Sequence, residues 1–241
     1  MKKIILFFVI PFLPLVSHTV QKSTPKPVNS SMASEKLPGI FTSIYHSDAY
    51  WGSKETVSGC GSTLDFTKAI REKIPPLIKR LKIKTILDIP CGDFNWMKEV
   101  KLNVDQYIGA DIVVELVKRN NALYEKPDRT FIHLDVTKDT LPKADIILCR
   151  DCLIHLSFDN IFKAILNFKK SGAKYLLVST HFKIEKNKDI NDGEYRPLNL
   201  QLPPFNFPNP IVVICESYFQ EAGKSLALWK LSRIRANFDI N

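Results

Sequence analysis

The residues of this chain best suited to chemistry are four aspartates that follow four successive apolar segments. Asp88, Asp111 and Asp135 end three of these segments, and Asp151 follows the fourth. In a parallel sheet the carboxyl ends of the strands meet at one edge, which is where ligands bind. The spacing of 23 residues between Asp88 and Asp111 is expected when a second-strand acid holds the ribose hydroxyls of a nucleotide-like cofactor. For each acid alone, the alternative is a helix cap.

The loop after the first of these acids contains one glycine and a further acid. Gly92 allows the backbone to approach a ligand closely. A dinucleotide site has three glycines and helix amides that face a pyrophosphate, whereas Asp93 would repel such an anion. The loop therefore favours a ligand with an ammonium or sulfonium group, and Asp93 is included among the candidate cofactor-binding residues.

Asp151 and His155 are the candidates for a general base. They lie four residues apart, which places them on one face if the segment is helical. An imidazole has an unperturbed pKa of about 6.5, which suits proton transfer near neutral pH. A base is needed only when the nucleophile must lose a proton. The alternative is a structural histidine that packs under a loop.

Cys149 and Cys152 form a C-x-x-C pair just before His155. Such a pair can be redox-active or can supply metal ligands. A closed zinc site needs four ligands and no second pair is present, so the sequence predicts no metal site. Cys149 ends an apolar segment, where the alternative is a thiol that acts as a small buried hydrophobic residue.

Residues 45–63 precede the alternating apolar segments and contain Trp51, Gly59 and Gly61. A segment in this position can close over a bound cofactor as a lid. We therefore include Trp51 among the candidate substrate-binding residues.

Residues 187–210 hold five of the fifteen prolines and are expected to form a long loop. Such a loop within a compact domain is usually functional or disordered. Arg196, Asn199 and Phe205 are its candidate contact residues. Arg150 and Arg196 could together hold a carboxylate or phosphate, which makes an anionic small molecule one candidate substrate. The alternative is a rigid, proline-rich connector.

Short apolar strands alternate with helical segments, which indicates right-handed crossovers and a parallel sheet. Ser62 is expected to cap a helix that Pro75 and Pro76 divide into two pieces. The other predicted helices are 95–102, 112–124 and 157–170, and the predicted strands are 85–89, 106–111, 130–135, 144–149, 174–180, 211–217 and 226–234. The last two strands are joined too tightly for a helical crossover. The predicted fold class is α/β: a Rossmann-like, doubly wound, mostly parallel sheet with an antiparallel C-terminal hairpin.

The segments TILDIPCGDFNWM, YIGAD, FIHLD and ADIILCRDCLIHLS resemble the successive motifs of class I S-adenosylmethionine-dependent methyltransferases. The resemblance covers about residues 40–235. It looks closest to a poorly characterised subgroup with PCGDFNWM in the first motif. Pro90 and Phe94 stand where the broader family has glycines, and Gly92 is kept. The resemblance implies methyl transfer from S-adenosylmethionine to an oxygen or nitrogen nucleophile of an unknown acceptor.

The same resemblance implies a role for each residue at the strand ends. Asp88 and Gly92 would face the methionine part of the cofactor. Asp111 would hold the ribose. Asp135 would hydrogen-bond to the adenine amine, and Val136 would lie against the ring.

Other classes of function stay open. A nicotinamide-dependent Rossmann oxidoreductase is one, although its glycines are missing. A secreted binding or thiol-redox module built on Cys149 and Cys152 is another. The 241 residues, 45% apolar and 24% charged, are typical of one globular domain. The net charge of +9 is not concentrated on a basic, aromatic segment, so nucleic acid is not expected as a partner.

Residues 1–20 are predicted to form a signal peptide or an N-terminal anchor. Lys2 and Lys3 precede an uncharged apolar run at 4–16. A flexible linker rich in serine is expected at 21–39.

The methyltransferase domain is then expected at 40–241. The leader predicts a protein that is secreted, or anchored to a membrane through residues 4–20. The alternative is a cytoplasmic protein whose translation starts at Met32.

Overall fold

The computed structural model describes residues 36–47, 53–216 and 221–235. The predicted leader at 1–20, most of the predicted linker and Trp51 lie outside the described residues. The helices are α1 (Leu37–His46), α2 (Leu64–Leu81), α3 (Val114–Tyr124) and α4 (Phe158–Lys170). The strands are β1 (Thr85–Asp88), β2 (Gln106–Asp111), β3 (Arg129–His133), β4 (Ile146–Cys149), β5 (Tyr175–His181), β6 (Val212–Cys215) and β7 (Lys224–Lys230). Helix α1 was not predicted, and it begins at Leu37, inside the range expected to be linker.

The seven strands form one sheet in the order β3-β2-β1-β4-β5-β7-β6. Strands β1 to β5 are parallel, whereas β7 runs antiparallel to both β5 and β6. The predicted fold class is confirmed. In the register of β5 and β7, His181 pairs with Lys224, so the first residue of β7 lies at the edge where the parallel strands end.

Both faces of the central strands are buried, which explains their continuous apolar sequences. Ile86, Ile146 and Leu148 face the core layer that contains the buried side of α2. Leu87 and Ile147 face the opposite layer, which contains the buried side of α4. The sheet is therefore covered on both sides, and the free edge for a ligand is at the strand ends.

Helix α2 differs from the prediction because it continues through Pro75 and Pro76. Its cap is Thr63, whose hydroxyl accepts a hydrogen bond from the backbone N–H of Phe66, rather than Ser62. The helix continues because the same apolar side packs against the sheet before and after the two prolines. The buried side chains on that side are Ile70, Ile74, Leu77 and Ile78.

The prediction of a helix at 95–102 is wrong. Only a short 3-10 turn, Met97–Glu99, forms there, and no side chain caps it. So short a segment has little helical stability of its own. Burial of Trp96, Met97 and Val100 determines its path instead.

No helix lies between β5 and β6, since residues 182–211 are irregular except for turns. This segment packs into the core through Leu198, Leu200, Phe205 and Phe207. Phe205 is therefore a core residue rather than the predicted contact residue, and its ring packs against Phe158 and Phe162. Of the helices in the described part of the chain, none is long and apolar enough to cross a membrane.

Candidate cofactor and active site

Asp88 ends β1 in a fully enclosed position. Only 2% of its surface is exposed, and its Oδ2 accepts a hydrogen bond of 2.5 Å from the hydroxyl of Tyr107 on β2. Burial raises the pKa of Asp88 to about 7, although the hydrogen bond from Tyr107 opposes this rise. The carboxyl group can therefore gain or lose a proton near neutral pH.

Asp111 lies at the end of the neighbouring strand and joins two backbone segments. Its Oδ2 accepts from the N–H of Gly92 at 3.0 Å, and its Oδ1 accepts from the N–H of Val113 at 3.0 Å. Burial raises the pKa of Asp111 to about 6, against the effect of these hydrogen bonds. Each oxygen has a second lone pair and can accept a further proton donor.

Asp135 and Val136 follow β3 in a tight turn. Asp135 Oδ1 accepts from the hydroxyl of Thr137 at 2.6 Å, and Oδ2 forms an ion pair of 3.2 Å with Lys138. A cavity of about 390 Å³ opens beside Asp135, between this turn and the beginning of α1. Val136 is buried in the core layer that contains α4. The structure thus brings the three predicted acids to one edge of the sheet.

Asp93, which was predicted to bind the cofactor, contacts the protein's own chain. Its Oδ2 accepts from the Thr56 hydroxyl at 2.7 Å and from the Val57 N–H at 3.0 Å, and its Oδ1 accepts from the Ser58 hydroxyl at 3.1 Å. We call residues 53–63 the strap. Both oxygens of Asp93 hold the strap against the loop after β1.

Gly92 also contacts the strap. Its φ angle is +55°, in the left-handed region that favours glycine, and an added Cβ would lie 2.4 Å from the hydroxyl oxygen of Ser58. The close approach that requires glycine here is therefore an approach of the protein's own chain.

A cluster of four buried or half-buried charges lies where β4, β6 and β7 meet this edge. Arg150 Nη2 is 2.6 Å from Glu216 Oε2, and Arg150 Nη1 is 3.2 Å from Asp151 Oδ2. Lys224 Nζ donates to Asp151 Oδ2 at 2.5 Å. Arg150 also donates to the carbonyl oxygen of Gly61 in the strap at 2.8 Å. Burial alone would raise the pKa of Asp151, but Arg150 and Lys224 outweigh it and hold this pKa well below its usual range.

Arg196 is likewise used inside the protein, and the structure does not join it with Arg150 into one anion site. Its Nη1 and Nη2 donate to the carbonyl oxygens of Leu153 and Leu156, each at 2.7 Å. Asn199 accepts from the N–H of Gln201 through its side chain and shapes the backbone of the proline-rich segment. These hydrogen bonds of both residues hold the 182–211 segment in place.

His155 ends a 3-10 turn that begins at Leu153, so the expected helical face shared with Asp151 does not form. Its Nδ1 lies 2.8 Å from the carbonyl oxygen of Glu194, which fixes the tautomer with the proton on Nδ1. Burial lowers the pKa of His155 to about 4. The imidazole is therefore neutral at physiological pH, and Nε2 is its basic nitrogen.

Cys149 and Cys152 are free thiols in this structure. Burial raises the pKa of Cys149 well above its usual range, and Cys152 adds to the effect. A thiol in that state is a poor nucleophile at neutral pH. Within 36–47, 53–216 and 221–235, no group of three or more metal-ligating side chains is present.

The sequence analysis did not identify three residues of this site: Glu216, Lys224 and Tyr107. Glu216 directly follows β6, so the rule that located the other acids would have found it if extended to that strand. Lys224 could be placed at this edge once the last strand was expected to run antiparallel. Nothing in the sequence identifies Tyr107 as a site residue, because a tyrosine within a strand is typical of ordinary packing.

No protein-family model matches the sequence, and a search of curated proteins gives no match. Among solved structures, the chain is similar to human N-acetylserotonin methyltransferase in complex with S-adenosylmethionine. The identity is 17% and the TM-score 0.51, over 81% of this chain and 60% of that chain, which is less than two thirds of the human protein.

Two further structures match over most of their own length. An S-adenosylmethionine-dependent methyltransferase from Clostridium acetobutylicum is 13% identical, with a TM-score of 0.50 over 68% of this chain and 91% of that chain. A protein from Pyrococcus horikoshii is 14% identical, with a TM-score of 0.51 over 70% and 92%. These likenesses establish the fold, a Rossmann-like, mostly parallel sheet that the chain shares with these structures.

Proposed function

We propose that this protein transfers a methyl group from S-adenosylmethionine to an oxygen or nitrogen nucleophile. The observation that carries the proposal is the position of Asp88, Asp111 and Asp135. All three carboxylates are at most 4% exposed and lie at the ends of consecutive parallel strands of a methyltransferase fold. We also propose that the chain belongs to the subgroup with PCGDFNWM in its first motif.

The donor set at this edge fits the cofactor. Asp111 would accept the ribose hydroxyl protons, while Asp88 and Gly92 would face the methionine part. Asp135 would contact the adenine, with the cavity lined by Asp135, Thr137 and Lys138 as its space, whereas Val136 does not line this cavity. The side chain of Asn120 donates to the carbonyl oxygen of Gly92 through its nitrogen, and its buried amide oxygen has no hydrogen-bond partner among the described residues.

The charge balance supports a cationic ligand. Burial raises the pKa of both Asp88 and Asp111, because it disfavours their charged forms by more than the hydrogen bonds that they accept favour them. A ligand with an ammonium and a sulfonium group would favour the ionised carboxylates. Such a ligand would bind more weakly once the carboxylates of Asp88 and Asp111 are protonated.

When bound, the cofactor supplies the methyl group on a positively charged sulfur. The protein would align the acceptor with that methyl group, which can lower a barrier by roughly 7–11 kcal/mol. His155 Nε2 would accept the proton of the acceptor, since the neutral imidazole needs no prior deprotonation. Asp151 is bound by Lys224 and Arg150, so its part is to fix the edge of the site rather than to act as a base.

The acceptor stays unidentified. An anionic acceptor loses its support, because the guanidinium groups of Arg150 and Arg196 are engaged by the protein itself. The strap would cover the methionine part of the cofactor, since it is held by the loops that follow β1 and β4.

The two other classes of function, a nicotinamide-dependent oxidoreductase and a thiol-redox module, receive less support. A nicotinamide cofactor needs amides that face a pyrophosphate, whereas in the loop after β1 the N–H of Gly92 donates to Asp111 and the N–H of Asp93 donates to Ser58. A thiol-redox function needs a reactive thiolate, and the raised pKa of Cys149 opposes one.

Isothermal titration calorimetry with S-adenosylhomocysteine, compared with NAD, tests the proposal. We expect S-adenosylhomocysteine to bind and NAD not to bind. Asp111→Ala should weaken binding by about 1–3 kcal/mol, because ribose hydroxyls lose a charged acceptor. Asp105→Ala, which removes an exposed carboxylate at the opposite edge of the sheet, is the matched control. Absence of S-adenosylhomocysteine binding would refute the function, and unchanged affinity of Asp111→Ala would remove Asp111 from the site.

A further inference from the structure

The hydrogen bond between Tyr107 and Asp88 links the candidate cofactor site to the interior of the sheet. The two residues lie on neighbouring strands, and both are at most 4% exposed. Tyr107 is the one side chain in the described residues that hydrogen-bonds to Asp88, at 2.5 Å between Oη and Oδ2. The orientation of this carboxylate therefore depends on the tyrosine hydroxyl.

The ring of Tyr107 is itself fixed by an aromatic cluster. Phe94 lies at its centre, with ring centroids 5.3 Å from Tyr107, 5.3 Å from Tyr124 and 5.1 Å from Phe131. Phe94 has a φ angle of +61°, a conformation in which glycine is usual. A residue in the loop after β1 thus adopts a strained backbone and packs its ring against the tyrosine that contacts Asp88.

We propose that Tyr107 is a positioning residue for cofactor binding, which orients the Asp88 carboxylate and favours its ionised form. The inference rests on the proposed function, because Asp88 is taken to face the methionine part of the cofactor. Tyr107 itself does not touch the cofactor and acts through Asp88.

The surroundings of Asp88 make this hydrogen bond important. The titratable and charged groups that face Asp88 are Tyr107 and Asp111 on β2, Cys91 after β1, and Cys149 and Arg150 at the end of β4. Arg150 favours the carboxylate, whereas burial and Asp111 disfavour it. Without the tyrosine hydroxyl the pKa of Asp88 rises further, and the carboxyl group becomes neutral at a higher pH.

Tyr107→Phe tests the inference, because it removes the hydroxyl and keeps the ring in the aromatic cluster. Calorimetric titration with S-adenosylhomocysteine from pH 6.0 to 8.5 should give roughly tenfold weaker binding near pH 7. The loss should shrink towards pH 8.5, since more Asp88 is ionised there. Tyr124→Phe is the matched control, because its ring lies in the same cluster and should bind within about twofold of the natural protein.

The Asp88→Asn background gives a second, independent measurement. If Tyr107 acts through Asp88, adding Tyr107→Phe to Asp88→Asn should change affinity by less than about twofold. A loss that adds fully to that of Asp88→Asn would overturn the positioning role, and a loss that is independent of pH would overturn the effect of Tyr107 on the ionisation of Asp88. Thermal unfolding of each variant establishes that the titrated protein is folded.

The same titrations separate this inference from the proposed function. If the natural protein does not bind S-adenosylhomocysteine at any pH, both fail. If it binds normally and Tyr107→Phe binds equally well across the pH range, only the role of Tyr107 is refuted.

Discussion

Asp93 accepts a hydrogen bond of 2.7 Å from the hydroxyl of Thr56, 37 residues earlier in the chain. The same carboxylate accepts from the N–H of Val57 and from the hydroxyl of Ser58. A single acid in the loop after β1 therefore fixes the middle of the strap. The far end of the strap is fixed separately, by Arg150 and the carbonyl oxygen of Gly61.

Asp93→Ala should release the strap, because three donors of the strap lose a shared, buried acceptor. We expect a loss of about 1–3 kcal/mol in the free energy of unfolding and faster amide exchange at residues 53–63. Hydrogen–deuterium exchange with peptide resolution measures the second effect. Asp105→Ala, which removes an exposed ion pair with Lys84, should change stability by less than about 1 kcal/mol. Unchanged exchange at 53–63 in Asp93→Ala would show that the strap is held by other contacts.

The arrangement of the sheet and its acids was predictable from the sequence. Apolar strands of four to seven residues recur along the chain; α3 and α4 form two of the crossovers, and connections without an α-helix join β1 to β2 and β3 to β4. Parallel strands connected in this way end at one edge of the sheet. Asp88, Asp111 and Asp135 reach that edge for this reason alone. Their positions depend on topology, which local patterns specify well.

The use of individual polar side chains was not predictable in the same way. Arg196 was expected to bind an anion, yet it donates to carbonyl oxygens of residues 153 and 156, some 40 positions away. Asp93 was expected to face a cation, yet it binds the strap. Such contacts depend on which distant backbone segment needs a donor or acceptor, and no periodicity in the sequence records that need.

Asp88→Asn should stabilise the protein without ligand, and more so at high pH. The folded pKa of about 7 exceeds the unfolded value of 3.8, so the ionised carboxylate lowers stability. This destabilisation begins above pH 4, grows as pH rises to about 7, and is then constant. The shift of about three pH units corresponds to roughly 4 kcal/mol as the largest gain. Denaturant unfolding at pH 5 and pH 8 measures it, and an equal effect at both pH values would contradict the raised pKa.

His155→Ala should reduce turnover by roughly 10²–10⁴ once an acceptor is known, because the proton of the acceptor loses its base. The affinity for S-adenosylhomocysteine should stay nearly unchanged. Since burial lowers the pKa of His155 to about 4, its titration should appear as a fall in rate towards pH 4 rather than near neutral pH. Equal losses of binding and rate would instead indicate that His155 is structural.

Arg196→Lys should lower stability rather than acceptor binding. A lysine cannot reproduce the donors that reach Leu153, Leu156 and Lys188, so buried carbonyl oxygens lose their partners. We expect a loss of about 2–4 kcal/mol in the free energy of unfolding. Arg119→Lys, on the exposed side of α3, is the matched control and should be nearly neutral. A stable Arg196→Lys protein with a raised KM for its acceptor would restore the anion-binding role.

The N-terminal sequence leads to a prediction about location. Lys2 and Lys3, the apolar run at 4–16 and the serine-rich tether occur in the order of an export signal or an anchor. Positive charges stay on the cytosolic side, so the folded domain would lie on the opposite side of the membrane. A methyltransferase there would need a supply of cofactor outside the cytosol.

N-terminal sequencing of the natural protein, combined with cell fractionation, distinguishes the possible outcomes. A first residue between positions 18 and 24, outside the cytosol, would support a cleaved signal. An intact Met1 in the membrane fraction would support an anchor. Because Met32 precedes α1 by only a few residues, translation from it would still give every helix and strand that the structure describes. A first residue near Met32 in the soluble cytosolic fraction would therefore contradict the leader without affecting the proposed enzyme.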